Sequence, residues 1–344
     1  MAKLTRVDKL DIGMILDKDV VDIKTGAVLI PEHTAITKVL IDKLNIYGIH
    51  FVFVKEEIVT EGIRNHGLTR EYSKIENTLD NIFNGIKEGK RLESDRVISE
   101  MNNFTKEIAS ERDILTQMRL LRKKDDYTFN HSLGVSILAI TLGKWLNYSQ
   151  DQILDLSIVG IFHDIGKLKV PDEIVKKPGK LTIAEYAEMR KHSLYSYKML
   201  LDTGKFSDDI LLGVLQHHEK INGTGYPNGV KGDSIHEYAK IIAVCDIYHA
   251  LTSNRVYKDK DSPLSAADYL RRESFDSLDP NITQVLLKNI SKFYVGNKVL
   301  LSDGSTGTIV YLHPQNETKP IVQIDNRFID FLKPQDVEIL DIII

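Results

Sequence analysis

His163 and Asp164 stand side by side after the apolar run Ile158-Val159-Gly160-Ile161-Phe162, and Ile165-Gly166-Lys167 follows them. That order puts an imidazole and a carboxylate where a buried helix ends, and a carboxylate can bridge two cations while an imidazole binds one. His217-His218 repeats the device, with two adjacent imidazoles at an expected helix terminus, then Glu219 and a glycine-rich turn from Asn222 to Pro227. Burying two neighbouring imidazoles without partners is costly, which points to a shared task. Of the eleven histidines, seven fall between His131 and His249. A lone histidine is more often structural, so the set carries the weight.

Donors of this kind can hold a pair of divalent ions. Such a pair, roughly 3.5–4 Å apart, clamps an in-line displacement at phosphorus and lowers the pKa of a water. Cys245 is the only cysteine, so neither an intramolecular disulfide nor a thiolate zinc cluster can form. Any metal must be held by histidine and carboxylate. Imidazole and oxygen donors without thiolate suit iron, manganese or zinc by softness.

The elements that must position these residues follow from periodicity. Residues 124–292 read as consecutive helices, expected over Tyr127–Leu146, Ser149–Phe162, Ile183–Leu201, Asp208–His217, Tyr238–Thr252 and Ser265–Arg272. Upstream, Ile75, Leu79, Ile82 and Ile86, then Val97, Met101, Phe104 and Ile108, are spaced four, three and four. Gly85 and Gly89 weaken the first of these helices, so a helical hairpin is expected. Its apolar stripe suits packing on the next domain or, as the alternative, a homodimer. Residues 1–60 carry β-branched runs, Gly26–Ile30 and His50–Val54, around a helical stretch from Thr34 to Leu44, as in a small α+β module. After Phe293 strands return at Lys298–Leu301, Thr308–Leu312, Ile321–Ile324 and Val337–Leu340. The expected fold is therefore mainly α: an all-helical core over 118–292, a helical hairpin over 61–117, an N-terminal α+β module over 1–60 and a small C-terminal β domain over 293–344.

The order of motifs resembles one family. His131, the His163-Asp164-Ile165-Gly166-Lys167 segment, His192, His217-His218-Glu219 with its turn through Tyr226, Asp246, and Arg255-Val256-Tyr257-Lys258 together are similar to the HD-GYP branch of the HD phosphohydrolase superfamily, bacterial cyclic di-GMP phosphodiesterases. The resemblance covers residues 118–292. It implies that His131, His163, Asp164 and Asp246 ligate one metal, and that Asp164, His192, His217 and His218 ligate a second, with Asp164 bridging. It also implies iron or manganese as the ions and cyclic di-GMP as the substrate, opened to linear pGpG, with or without further cleavage to GMP. Lys167 would join Asp164 in catalysis, and Lys167, Arg255 and Lys258 would hold the substrate's phosphates. Tyr226 is either an aromatic platform for guanine or a cap of its turn.

Two positions depart from the family pattern. A second aspartate is common three residues after the metal-binding one, and here that residue is His249. Members with a third metal place a glutamate one turn before the first histidine, where this chain has Tyr127. Two ions per chain are therefore expected. His249 leaves open a proton donor, a partner behind the ligands, or slower turnover. A phosphodiesterase for another cyclic dinucleotide, such as cyclic GMP-AMP, and a sensor or scaffold with little turnover stay as alternatives.

Composition narrows the remaining classes. The 344 residues are 42% hydrophobic and 27% charged, as in folded proteins. Lysine plus arginine total 45 against 49 acids, a net charge of −4, which gives no electrostatic reason for a nucleic-acid polymer or an acidic membrane as partner. Charges break up Met1–Leu16 before any leader-like apolar core forms, and Gly134–Gly143 is about half the ~18 residues a membrane helix needs. A cytoplasmic protein without membrane insertion is expected.

Overall fold

The computed structural model describes residues 2–10, 14–21, 28–32, 34, 36, 38–55, 61–110, 127–253, 262–292, 294–313, 315–325 and 327–343. At the amino terminus, β5 (Phe51–Lys55) pairs antiparallel with both β1 (Ala2–Arg6) and β2 (Ile15–Leu16). Its alternation divides the side chains, with Val52 and Val54 buried and Phe51 and Phe53 exposed. Helix α1 (Lys38–Ile46) packs Leu40 and Leu44 into the same cluster as Leu16, Val52 and Val54, while β3 (Val20–Val21) and β4 (Val28–Ile30) form a two-stranded ribbon. The helix expected from Thr34 starts later. The carbonyl of Thr34 accepts from Leu16 N–H, and the N–H of Ile36 donates to Met14, so this stretch pairs with the β2 segment instead of coiling.

Helices α2 (Glu61–Lys87) and α3 (Ser94–Ser110) form a hairpin that turns at Gly89, whose φ is 85°. The two apolar stripes are buried within the same hydrophobic cluster as the helices that follow. Those helices are α4 (Tyr127–Trp145), α5 (Gln150–Phe162), α6 (Asp172–Val175), α7 (Ile183–Met189), α8 (His192–Leu201), α9 (Asp208–Gln216), α10 (Glu237–Thr252), α11 (Pro263–Glu273) and α12 (Pro280–Lys292). Ser149 and Gln152 close a reciprocal capping box that starts α5. Helices α4 and α5 approach so closely that a Cβ at Gly160 would lie 2.6 Å from Ser136 Cα. A hydrogen bond of 2.8 Å from Thr105 to Ser157 fastens the hairpin to α5 in the buried region between them.

Two differences from the sequence reading concern helices. The single helix expected over Ile183–Leu201 is two, because the chain turns at Arg190 and Lys191. Helix α12 was not among the expected elements. Its signals are the helical spacing of buried Ile282, Leu286, Leu287 and Ile290 and its start, where Asp279 Oδ1 accepts from the N–H groups of Asn281 and Ile282 around Pro280.

The carboxy-terminal strands β6 (Lys298–Leu301), β7 (Thr306–His313), β8 (Asn316–Ile324), β9 (Arg327–Asp330) and β10 (Ile339–Ile343) form an antiparallel sheet of order β10-β6-β7-β8-β9. Its inward residues Val299, Leu301, Ile309, Val322 and Ile342 join the hydrophobic cluster of the helical core. A sheet this small gains its apolar burial from the helices beside it. The fold is mainly α, with small N-terminal sheets and a five-stranded C-terminal sheet. Among the described residues no helix is long and apolar enough to cross a membrane.

Candidate metal centre

Helix α5 runs out at Phe162, which leaves His163 and Asp164 at its end, 0% and 2% exposed. A 3-10 turn over Ile165–Lys169 then leads the chain away. Ser196 on α8 pins this corner: its hydroxyl donates to the His163 carbonyl at 2.8 Å and accepts from the Gly166 N–H at 2.8 Å. The helix that begins with His192 is thereby fastened to the His-Asp turn.

Three histidines are aimed by one local device. His163 Nδ1 lies 2.8 Å from the Gly160 carbonyl, His192 Nδ1 2.7 Å from that of Met189, and His217 Nδ1 2.6 Å from that of Val214. Each partner is the residue three positions back. A carbonyl only accepts, so each Nδ1 carries the proton and each Nε2 presents a lone pair. This is how metal-binding imidazoles are commonly oriented. The split between α7 and α8 serves the same end, since it brings the Met189 carbonyl to His192.

Histidine Nε2 atoms converge on Asp164. His192 Nε2 is 3.3 Å from Asp164 Oδ1, His163 Nε2 is 3.4 Å from Asp164 Oδ2, and His131 Nε2 is 3.8 Å from Asp164 Oδ2. His131 Nε2 also lies 2.9 Å from Asp246 Oδ1. Two donor sets result, Asp164 with His192, His217 and His218, and Asp164 with His131 and His163, and in each the donor atoms lie within 4.8 Å of one another. Asp164 belongs to both.

The donor set fits divalent cations by a direct electrostatic criterion. His192 Nε2 and His217 Nε2 face each other at 3.3 Å. With both Nδ1 atoms protonated on carbonyls, two lone pairs meet, and only a positive charge between them makes that favourable. Protons are disfavoured there. Burial, then the neighbouring His218, holds His217 well below the usual histidine range, burial lowers His192, and burial with His192 beside it pulls His218 down to about 3. Burial works against ionisation of Asp164 too, yet Lys167 and the surrounding imidazoles hold its carboxyl well below the usual range. At His163 burial opposes protonation, but the Asp164 and Asp246 carboxylates raise it above the usual value. His163 Nε2 and Asp164 Oδ1 are buried without a hydrogen-bond partner, as ligand atoms left for an ion would be.

Around the donors, Lys167 Nζ contacts Asp164 Oδ2 at 2.5 Å. The Tyr226 ring rests against His218, centroids 4.7 Å apart, at the end of a turn whose neighbours Asn228 and Gly229 donate backbone N–H groups to the buried Glu219 carboxylate at 2.7 and 3.0 Å. Arg255 and Lys258, expected to hold phosphate, lie outside the described residues, as does the Tyr127 side chain. Arg190 escaped the sequence reading. Its guanidinium stands 4.7 Å from the centroid of Tyr226 and 5.9 Å from that of Tyr186, which is half exposed and meets the Tyr226 ring edge-on, centroids 6.5 Å apart. Its position two residues before His192 was the available signal. His249 is 4% exposed and sits behind His131, the two Nδ1 atoms 3.0 Å apart.

A family model described as HD domain matches residues 106–282, about half the chain. The chain belongs to the HD domain family. It is 32% identical to the cyclic di-GMP phosphodiesterase PA4108 of Pseudomonas aeruginosa over 254 residues, 73% of this chain and 61% of that one. Over 173 residues, 50% of this chain and 40% of the relative, it is 36% identical to the 3'3'-cGAMP-specific phosphodiesterase 1 of Vibrio cholerae. The response regulator RpfG of Xanthomonas campestris, named a cyclic di-GMP phosphodiesterase, is 31% identical over 195 residues, 56% of this chain and 51% of that protein. The chain thus spans less than two thirds of the length of each. Among solved structures, Bd1817, described as an HDG"Y"P protein of Bdellovibrio bacteriovorus, shares the fold with a TM-score of 0.56 at 16% identity, covering 84% of this chain and 99% of that one.

Proposed function

We propose that this chain is a phosphodiesterase that uses two divalent ions to open a cyclic dinucleotide, with cyclic di-GMP as substrate and linear pGpG, then GMP, as products. The observation that carries this reading is the pair of facing lone pairs on His192 and His217, 3.3 Å apart beside a buried carboxylate common to two donor sets. His131, His163, Asp164 and Asp246 would hold one ion, and Asp164, His192, His217 and His218 the other. Iron and manganese suit such donors. Bound there, the ions supply Lewis acidity at phosphorus and a water activated near neutral pH.

The chain's own residues do the rest. Carbonyl-fixed tautomers keep His163, His192 and His217 ready without rearrangement, and the buried surroundings strengthen every charge interaction inside. Lys167, one turn beyond Asp164, offers an ammonium to the non-bridging phosphate oxygens, joined by Arg255 and Lys258. Arg190 and Tyr186 offer a flat cation and a half-exposed ring, which suit a purine; a guanidinium pairs well with the O6 and N7 acceptors of guanine. Tyr226 already rests against His218 and Arg190, which favours a role in shaping the wall over one as a free stacking surface.

A second reading, cyclic GMP-AMP as the preferred substrate, draws on the 36% identity to a 3'3'-cGAMP-specific relative. Incubating manganese- or iron-loaded protein anaerobically with cyclic di-GMP, 3'3'-cGAMP and cyclic di-AMP, and resolving products by chromatography, tests both. Loss of cyclic di-GMP with appearance of pGpG supports the proposal, and faster loss of cGAMP supports the second reading. Return of all three ligands intact contradicts catalysis and leaves a sensor.

A further inference from the structure

His131 is oriented differently from three of the other candidate ligands. His163, His192 and His217 each set Nδ1 on a carbonyl, which cannot donate. His131 instead sets Nδ1 3.0 Å from Nδ1 of His249, another imidazole, on α10. An imidazole can donate or accept, so two proton arrangements satisfy this contact. In one, His249 Nδ1–H donates to His131 Nδ1, and His131 Nε2–H donates to Asp246 Oδ1 at 2.9 Å. No lone pair then faces the cluster. In the other, His131 Nδ1–H donates to His249 Nδ1, the His131 Nε2 lone pair is exposed to a cation, and His249 Nε2–H faces Ser253 Oγ, which lies 3.2 Å from His249 Nδ1 and 3.3 Å from its Nε2. Each ring keeps one proton throughout, so the exchange changes no charge.

The contact depends on close approach of α4 and α10. A Cβ at Gly134 would lie 2.0 Å from His249 Nε2, so only glycine leaves the imidazole its place.

We propose that His249 makes the His131 donor set the weaker, exchangeable one of two metal sites, and so lets metal supply set the fraction of fully loaded protein. The inference rests on the two-ion reading above. An ion entering at Asp164, His192 and His217 meets lone pairs already aimed. An ion entering at His131 must break the His131–Asp246 hydrogen bond and shift both tautomers. His249 is thus a positioning residue that acts through His131.

Calorimetric titration of metal-stripped full-length protein with Mn²⁺ tests this without relying on turnover. The wild type should show two classes of site. H249D supplies a carboxylate that only accepts, locks the His131 Nδ1–H tautomer, and should tighten the weaker class by ~10–100-fold, the range for partners behind metal ligands. H249L removes the acceptor and should loosen the same class by a similar factor, with the tighter class within about twofold of wild type. H249D decides alone if H249L does not fold. A weaker class unmoved in H249D overturns the inference and leaves the two-ion reading intact. Equal shifts of both classes, as packing damage would give, also overturn it. A wild type that takes up one ion overturns both.

Discussion

The Nε2 atoms of His192 and His217 face each other at 3.3 Å while their Nδ1 atoms are held on the carbonyls of Met189 and Val214. Neither ring can turn its proton inward without giving up that carbonyl, so the gap between them is built for a cation. Asp164 closes the gap and reaches the second donor set as well.

Removing the shared carboxylate should therefore disable both sets at once. Asp164→Ala should lower cyclic dinucleotide turnover by at least about 10³-fold, since Lewis-acid stabilisation is worth several kcal/mol and each ~1.4 kcal/mol is a factor of ten. Steady-state assays at saturating metal check this. Turnover within tenfold of wild type would contradict the shared-ligand role.

Lys167 sits 2.5 Å from Asp164 Oδ2 with a quarter of its side chain exposed, close enough to serve an incoming phosphate. Lys167→Met should reduce kcat by about 10²–10³-fold, the usual cost of one electrostatic donor to a transition state. Metal content should stay at the wild-type level. If metal is lost in parallel with activity, the lysine supports the carboxylate and not the substrate.

Arg190 should matter for the substrate's bases and not for the cleavage chemistry. Arg190→Met should raise KM for cyclic di-GMP about tenfold, the scale of a partly desolvated cation–π or guanidinium–base contact. Hydrolysis of bis(p-nitrophenyl) phosphate, which has no base, should be unchanged. Equal losses on both substrates would place Arg190 in the packing of Tyr226 instead.

The metal-free protein should lose stability in mild acid. His218 falls from an ordinary value of 6.5 to about 3, and His192 and His217 are also lowered, so the unfolded chain binds protons below about pH 6.5 that the folded chain refuses. Their contribution is complete above that pH and drains away as pH falls toward 3. His163, raised by its carboxylate neighbours, works in the opposite direction, but alone against three. Thermal melts between pH 7.5 and 4.5 should therefore show a falling Tm. A Tm that is flat or rises on acidification would contradict the buried neutral imidazoles.

Much of this site was legible because its donors sit in short motifs at helix ends. His163-Asp164 and His217-His218 could be read as such from the apolar runs before them, and the structure brings both pairs together with His131, His192 and Asp246. What could not be read depends on contacts between distant segments. Arg190 meets Tyr226 only because the chain turns at Arg190 and Lys191, where a continuous helix was expected. His249 meets His131 across 118 residues, through a gap that Gly134 keeps open. In the fold, α12 buries Ile282, Leu286, Leu287 and Ile290, a helical spacing present in the sequence but absent from the expected elements. Strand β9, Arg327–Asp330, lacks a buried face and left no alternation to find.

The central claim is two cations held around Asp164, and anomalous diffraction from crystals of manganese-loaded protein tests it most directly. Two peaks should flank the Asp164 carboxylate, one bounded by His131, His163 and Asp246 and the other by His192, His217 and His218. No peak, or a single peak that leaves either histidine group without an ion at saturating manganese, would contradict the account.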